Sequence, residues 1–160
     1  MKPLRFLRRS FEHGVHPPHR KEQTEELPIQ RVPFRKDYVM PLGQHIGVPA
    51  QAVVSEGERV IRGQLIAEPG GFVSTALHSP VTGTVTRVGD SRGVDGRFAP
   101  AIEIAADPFA TQEIDPVPPA DWESLSLDDF IKAVQMAGIV GMGGAAFPSH
   151  VKLSVPDGIT

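Results

Sequence analysis

Residues 53–88 read VVSEGERVIRGQLIAEPGGFVSTALHSPVTGTVTRV. The runs QLIA, FVSTALH and TGTVTRV are short, rich in β-branched residues and separated by glycine, proline and small polar residues, as in short strands joined by tight turns. Gly57, Gly63 and Gly83 are expected at turns that need a positive φ, and Val60 and Val85 are expected to point inward from short strands. Outward from this stretch the pattern continues, back to YVMPL at Tyr38 and QAVV at Gln51, and forward to PAIEIA ending at Ala105. An all-β unit over residues 38–106 is therefore expected.

The flanks differ in composition. Residues 1–37 are polar, broken by proline and without sustained periodicity, and are expected to form an extended amino-terminal arm. The first residues set Lys2, Arg5, Arg8 and Arg9 among Leu4, Phe6, Leu7 and Phe11, a mixture suited to an acidic lipid surface or a partner, or simply to a solvated terminus. Residues 107–121, DPFATQEIDPVPPAD, have the composition of a stiff linker. Beyond it Ser126 and Asp129 stand at capping-box spacing, Leu127, Phe130, Ile131 and Val134 share one helical face, and Gly138 supplies a stop. A helix over residues 127–137 is expected, with Trp122 and Phe130 packing it against the β unit. Asp128 and Asp129 suit the first helical turn, where acids oppose the dipole, rather than a catalytic pair.

Composition narrows the function. The 160 residues suit one domain or slightly more, at 40% hydrophobic and 22% charged, so neither a disordered chain nor a membrane-embedded one is expected. A formal charge of -3 gives no electrostatic reason to expect nucleic acid as a partner. No apolar stretch approaches the roughly 20 residues of a spanning helix, and no signal peptide is evident, so a cytoplasmic location is expected. The chain has no cysteine, which excludes disulfides, thiolate zinc sites and cysteine-ligated iron–sulfur clusters within it. His13, His16 and His19 recur every third residue, but Pro17 and Pro18 break any helix that would align them and no thiolate completes a site, so no metal site is assigned.

Gly57, Val60, Gly63 and Gln64, followed by Ser79, Pro80, Gly83 and Val85 in SPVTGTV, resemble the barrel-sandwich hybrid domains, the group that includes biotinyl and lipoyl carriers. A carrier attaches its prosthetic group to a lysine on an exposed hairpin, and that region here reads AEPGGFVST. No lysine occurs between Lys36 and Lys132, so neither biotin nor lipoate can be attached there. His78 is a conceivable phosphotransfer residue, although a histidine beside a strand more often makes structural hydrogen bonds. His45, in PLGQHIG, is likewise expected to hydrogen-bond backbone.

The second informative motif is GMGGAAFPSHVKL, residues 141–153. Gly141, Gly143 and Gly144 allow close approach of a ligand to backbone, a short helix starting near Pro148 would present free N–H groups, and Lys152 would add a positive charge. Ordinary turns use the same residues, so by itself the motif leaves both readings open.

Together and in order, HGVHPP, PLGQHIGVPA, LHSPVTGTV and GMGGAAFPSHVKL resemble the C subunit of the Rnf electron-transport complex, an ion-translocating ferredoxin and nicotinamide oxidoreductase, over about residues 13–155. The resemblance implies a mainly β barrel-sandwich hybrid domain followed by a helix and the start of an α/β nucleotide-binding domain similar to the flavin subunit of complex I. In that family two [4Fe–4S] clusters follow, for which this chain holds no cysteine. Gly141, Gly143, Gly144, Ala145, Phe147 and Lys152 correspond to the loop that in the complex I relative embraces flavin and its phosphate. Ala146 stands where the commoner pattern has glycine. The implied cofactors are FMN and NADH, the implied partners are the other subunits of the complex with ferredoxin or NADH as redox partner, and the implied place is peripheral, on the cytoplasmic face of the bacterial inner membrane. Residues 122–160 are too few for the sheet of a nucleotide domain, so the chain is expected to be the amino-terminal portion of a longer translocase subunit and inactive alone, with a non-catalytic module that docks other subunits as the alternative. No catalytic acid or base is assigned.

Overall fold

The computed structural model describes residues 18, 20–114 and 121–154. The chain divides into two compact units, Met1–Pro33 and Phe34–Thr160. In the first, residues 21–27 form a turn in which the Thr24 and Glu25 amides both donate to the Lys21 carbonyl at 2.8 Å. His13, His16, His19 and the basic cluster from Lys2 to Arg9 lie outside the described residues.

The second unit begins with seven antiparallel strands: β1 (Asp37–Pro41), β2 (Gln51–Ala52), β3 (Arg59–Val60), β4 (Leu65–Glu68), β5 (Leu77–His78), β6 (Gly83–Arg92) and β7 (Phe98–Ala106). They form a four-stranded sheet in the order β1-β7-β6-β3 and a three-stranded sheet in the order β2-β4-β5. The expected all-β unit is present, with its strands shorter than the apolar runs. FVSTALH contributes only Leu77–His78 to a strand, because residues 69–76 turn away as a loop.

The core lies between the sheets. Val60, Ile66, Ala67, Val81, Val85 and Ile102 are fully buried and Ile104 nearly so, each large aliphatic side chain stabilising the fold by about 1.5–3 kcal/mol relative to exposure. Val60 and Val85 point inward as their spacing predicts. Ile102 and Ile104 alternate on β7 with Glu103, whose carboxylate accepts a hydrogen bond from Ser91 of β6. Between Val85 and Arg87 the β6–β7 register shifts by one residue, a bulge that bends the long hairpin and helps curl the sheet.

Two of the three turn glycines are left-handed as expected, Gly57 at φ 82 and Gly63 at φ 87. Gly83 is not. A Cβ there would lie 2.1 Å from the Ala105 carbonyl oxygen, so glycine is required by the close approach of β7 rather than by a turn.

The segment following β7 does not leave the barrel at once. The side-chain amide of Gln112 pairs with the backbone of Thr82 as a strand residue would, accepting from its N–H at 2.8 Å and donating to its C=O at 3.1 Å. Arg62 donates to the Gln112 carbonyl at 2.7 Å, and Arg59 pairs with Asp107 at 3.0 Å. Residues 107–114 are thus strapped to the barrel, while residues 115–120 of the expected linker lie outside the described residues.

The remaining elements are a 3-10 turn (Trp122–Ser124), helix α1 (Leu127–Met136), a two-residue pairing of β8 (Val140–Gly141) with β9 (Phe147–Pro148), and helix α2 (Ser149–Leu153). α1 ends one residue before the expected limit. Its start is capped by the Ser126 hydroxyl, which accepts the Asp129 amide at 3.1 Å and donates to the Asp129 carboxylate at 2.6 Å. At its end Gly138, at φ 74, donates to the Gln135 carbonyl and Ile139 reaches that of Val134, the Schellman pattern. Among the described residues no helix is long and apolar enough to cross a membrane. Replacing Gln112 by alanine leaves the Thr82 amide without its partner, and urea unfolding is expected to show a loss of about 1–3 kcal/mol.

Candidate functional site

The glycine motif folds as a β-hairpin. Val140 pairs with Pro148 and Gly141 with Phe147, leaving residues 142–146 as the turn. The last residue of the turn, Ala146, is left-handed, at φ 51. The position where the resemblance expects glycine therefore has the backbone that favours glycine, and Ala146 holds it with a Cβ in place.

Gly143 and Gly144 are different. Neither has a left-handed φ, and a Cβ on either would meet no atom within 4 Å. Nothing in the fold of the described residues requires glycine at these two positions, and their exposed backbone is free for close approach. On the inner side of the hairpin, the Lys152 amine on α2 would lie 3.5 Å from a Cβ at Gly141 and sits 5.7 Å from the centre of the Phe147 ring. The structure thus groups Gly141, Phe147 and Lys152 at the base of the hairpin and sets Gly143, Gly144 and the exposed Ala145 at its turn. Open backbone at the turn and an ammonium group at the base are donors of the kind that a flavin phosphate takes.

The hairpin and helices rest on loop 69–76, the region where a carrier would display its lysine. Ser74, Thr75 and Ala76 are buried. From one side His45 holds the loop: its Nε2 accepts the Thr75 amide at 3.3 Å, which leaves Nδ1 to donate to the Ile46 carbonyl at 3.2 Å. From the other side Gln135 of α1 donates to the Gly71 and Ser74 carbonyls, while its own carbonyl accepts from the Thr75 hydroxyl at 2.7 Å and the Ala76 amide at 3.2 Å. His150 of α2 donates from Nε2 to the Phe72 carbonyl at 2.7 Å and meets the Phe72 ring edge-on.

These contacts correct the expected packing of α1. Trp122 is 64% exposed and Leu127 is 68% exposed, so neither fastens the helix, and Phe130, Ile131 and Val134 are only half-buried. The buried residue of α1 is Gln135. Polar backbone, rather than an apolar surface, is what the helix meets here, so an amide serves better than a hydrocarbon. Neither Gln135 nor His150 stands out in the sequence, and their only signal is polarity placed among apolar neighbours.

His78 lies close to the turn after α1, its Nδ1 3.6 Å from where a Cβ on Gly138 would fall. Burial lowers its pKa from the ordinary 6.5, so near neutral pH the ring is uncharged. A surface cavity of about 480 Å³ lies elsewhere, lined by Phe34, Arg35, Lys36, Asp107 and Gln112 among others. No residue of the glycine hairpin reaches it.

A small two-sheet β unit with a lysine-free, covered carrier hairpin, continued by a glycine-rich hairpin, defines a non-carrier member of the barrel-sandwich class. Residues 9–108 match the family described as the RnfC barrel sandwich hybrid domain. Over 147 residues the chain is 38% identical to the C subunit of the sodium-translocating ferredoxin:NAD(+) oxidoreductase complex of Acetobacterium woodii, covering 92% of this chain and 33% of that protein. Over 148 residues it is 43% identical to the C subunit of the ion-translocating oxidoreductase complex of Pseudomonas aeruginosa, covering 91% of this chain and 19% of that one. The chain belongs to the RnfC family, and it spans from about a fifth to a third of the length of these curated relatives.

Ala146→Gly removes the strain of a left-handed alanine, and its stability by denaturant titration is expected to rise by about 0.5–1 kcal/mol. For His78, the unfolded chain takes up a proton as pH falls through 6.5, whereas the folded ring does so only at lower pH. Stability is therefore lost as pH drops below that value. Asp107 loses its contribution only in the more acidic range, because its carboxyl is held below the ordinary 3.8 first by the Phe109 amide and then by Arg59. Melting temperatures from pH 7 to pH 5 are expected to fall less in His78→Gln than in the parent.

Proposed function

We propose that this chain is the amino-terminal part of the C subunit of an ion-translocating ferredoxin:NAD oxidoreductase complex, and that residues 122–160 begin its flavin- and NADH-binding α/β domain. The observation that carries the reading is the pair of glycines at 143 and 144, whose lack of a side chain neither packing nor backbone conformation explains. Gly141, Gly143, Gly144 and Ala145 would present backbone to FMN, Phe147 would flank the hairpin, and Lys152 would neutralise the phosphate. Held by these residues, FMN would supply the redox chemistry that links two-electron exchange with a nicotinamide to one-electron exchange with iron–sulfur centres. The chain's own residues bind and orient the group, and none acts as acid or base. Since the chain has no cysteine, cluster ligands belong to other parts of the polypeptide. The place proposed for the subunit is peripheral, on the cytoplasmic face of the membrane, with other subunits of the complex as partners and ferredoxin or NADH as the redox partner of the whole. The proposed boundary between domains falls within residues 107–121.

A second role, docking of neighbouring subunits by the barrel, is favoured by the exposed Ile46, Val48 and Phe72 around loop 69–76, since exposed apolar side chains gathered at one end suit a protein interface.

The test is a flavin titration of a polypeptide extended through the whole nucleotide domain. Stoichiometric FMN binding is expected, weakened about ten- to a hundredfold by Lys152→Ala through loss of a charge-assisted bond to phosphate. An extended polypeptide that takes up no FMN refutes the assignment of the loop.

A further inference from the structure

We propose that loop 69–76, the carrier hairpin of this fold class, here serves as a fixed seat for the glycine hairpin, with His150 and Gln135 as the positioning residues that transmit the barrel's orientation to it. The proposal rests on the flavin reading of the hairpin for its functional meaning, but its structural content stands independently of it.

His150 holds its place at a cost. Because the Phe72 carbonyl can only accept, His150 carries its proton on Nε2. Its Nδ1 is then an acceptor, fully buried, and is the one such side-chain atom without a hydrogen-bond partner among the described residues. A stranded acceptor destabilises a fold, and a leucine or phenylalanine would fill a buried position without stranding one. A residue chosen for volume alone would not be histidine. What histidine supplies and a hydrocarbon cannot is the Nε2–H aimed at one carbonyl of one loop, a directional restraint on α2. Gln135 acts in the same way on α1, spanning the Gly71 and Ser74 carbonyls with one amide group. Both restraints end on the same eight-residue loop, and that loop is in turn held from the barrel side by His45.

α2 carries Lys152 and follows β9 directly, and Ser149 donates to the Ile139 carbonyl at 3.0 Å just ahead of β8. Fixing His150 therefore fixes the base of the hairpin and the ammonium group beside it. In a carrier the corresponding loop must expose the lysine that holds its prosthetic group. Here Gly71 and Phe72 remain exposed while Ser74, Thr75 and Ala76 are buried, and the buried half of the loop is rigidly attached.

Hydrogen exchange resolved by mass spectrometry on the purified 160-residue chain tests the seat without any cofactor. In His150→Ala, amides of residues 139–153 are expected to exchange at least tenfold faster while β6 and β7 keep their protection, and in His150→Gln, whose amide restores an N–H near the position of Nε2, protection is expected to return. If exchange in residues 139–153 is unchanged in His150→Ala, or if His150→Gln is no better than the alanine variant, the positioning role is wrong. Should His150→Ala lose the β6–β7 protection as well, Thr75→Val decides. It removes only the hydroxyl donor to the Gln135 carbonyl at nearly constant volume, and faster exchange across residues 127–153 with an intact barrel supports the seat, whereas unaltered exchange overturns it. In the extended polypeptide, His150→Ala is expected to weaken FMN binding about tenfold and His150→Gln to recover it. Absence of flavin binding by the parent would remove the flavin reading and leave the exchange result to stand or fall by itself.

Discussion

Buried backbone must find partners for its N–H and C=O groups, because an unpaired one costs free energy comparable to a lost hydrogen bond. Loop 69–76 is the place where this constraint organises the molecule. Its Ser74–Ala76 stretch lies inside the protein yet belongs to no strand, so every partner has to come from another element. His45 arrives from the segment between β1 and β2 and Gln135 from α1, while His150 of α2 takes the nearby Phe72 carbonyl. The Gly70 amide is met within the loop itself, by the Ser74 hydroxyl at 2.9 Å. Elements that are distant in sequence meet here because their side chains complete one loop's hydrogen bonding.

The same constraint explains why a barrel-sandwich fold can be kept while carrier chemistry is abandoned. The two sheets and their core do not depend on what the connecting hairpin displays. Replacing an exposed lysine tip by the glycine-containing EPGGFVST sequence produces a loop whose backbone can be approached closely on both faces. A Cβ on Gly70 would strike the Pro49 carbonyl at 2.2 Å, and one on Gly47, at φ 106, would strike that of Val73 at 2.0 Å. Glycine at these two positions lets the segment before β2 lie flat on the loop, and the helices close the other side.

Much of the barrel could be read directly. Alternation and β-branched runs located β1, β4, β6 and β7, and the inward side chains of Val60 and Val85 follow from period two. The capping serine and stop glycine of α1 set its limits almost to the residue, since those signals are local hydrogen bonds. The face of α1 was read less well. Leu127, Phe130, Ile131 and Val134 suggest an apolar seam, but the helix is fastened through Gln135. Periodicity records where hydrocarbon lies and cannot say that the loop meeting Gln135 offers carbonyls, a hydroxyl and an amide. Trp122 misleads in the same way, being large and apolar but set in a 3-10 turn where it stays 64% exposed.

By itself the sequence determined the all-β character of residues 38–106, a helix expected at 127–137 and found to end one residue earlier, the absence of a carrier lysine and of any thiolate ligand, and the family, because each is carried by residue identity or by spacing within a few positions. Only the tertiary structure decided that Gly83 serves close strand approach, that Ala146 occupies a left-handed turn position, that residues 107–114 are strapped down by Gln112, and that His150 and Gln135 end on the carrier hairpin. Apart from Ala146, whose turn is local, these depend on contacts between residues 22 to 78 positions apart. Such contacts leave no periodic trace in the chain, since the geometry of a hydrogen bond across that separation is set by the folded backbone and not by the identity of either neighbour in sequence.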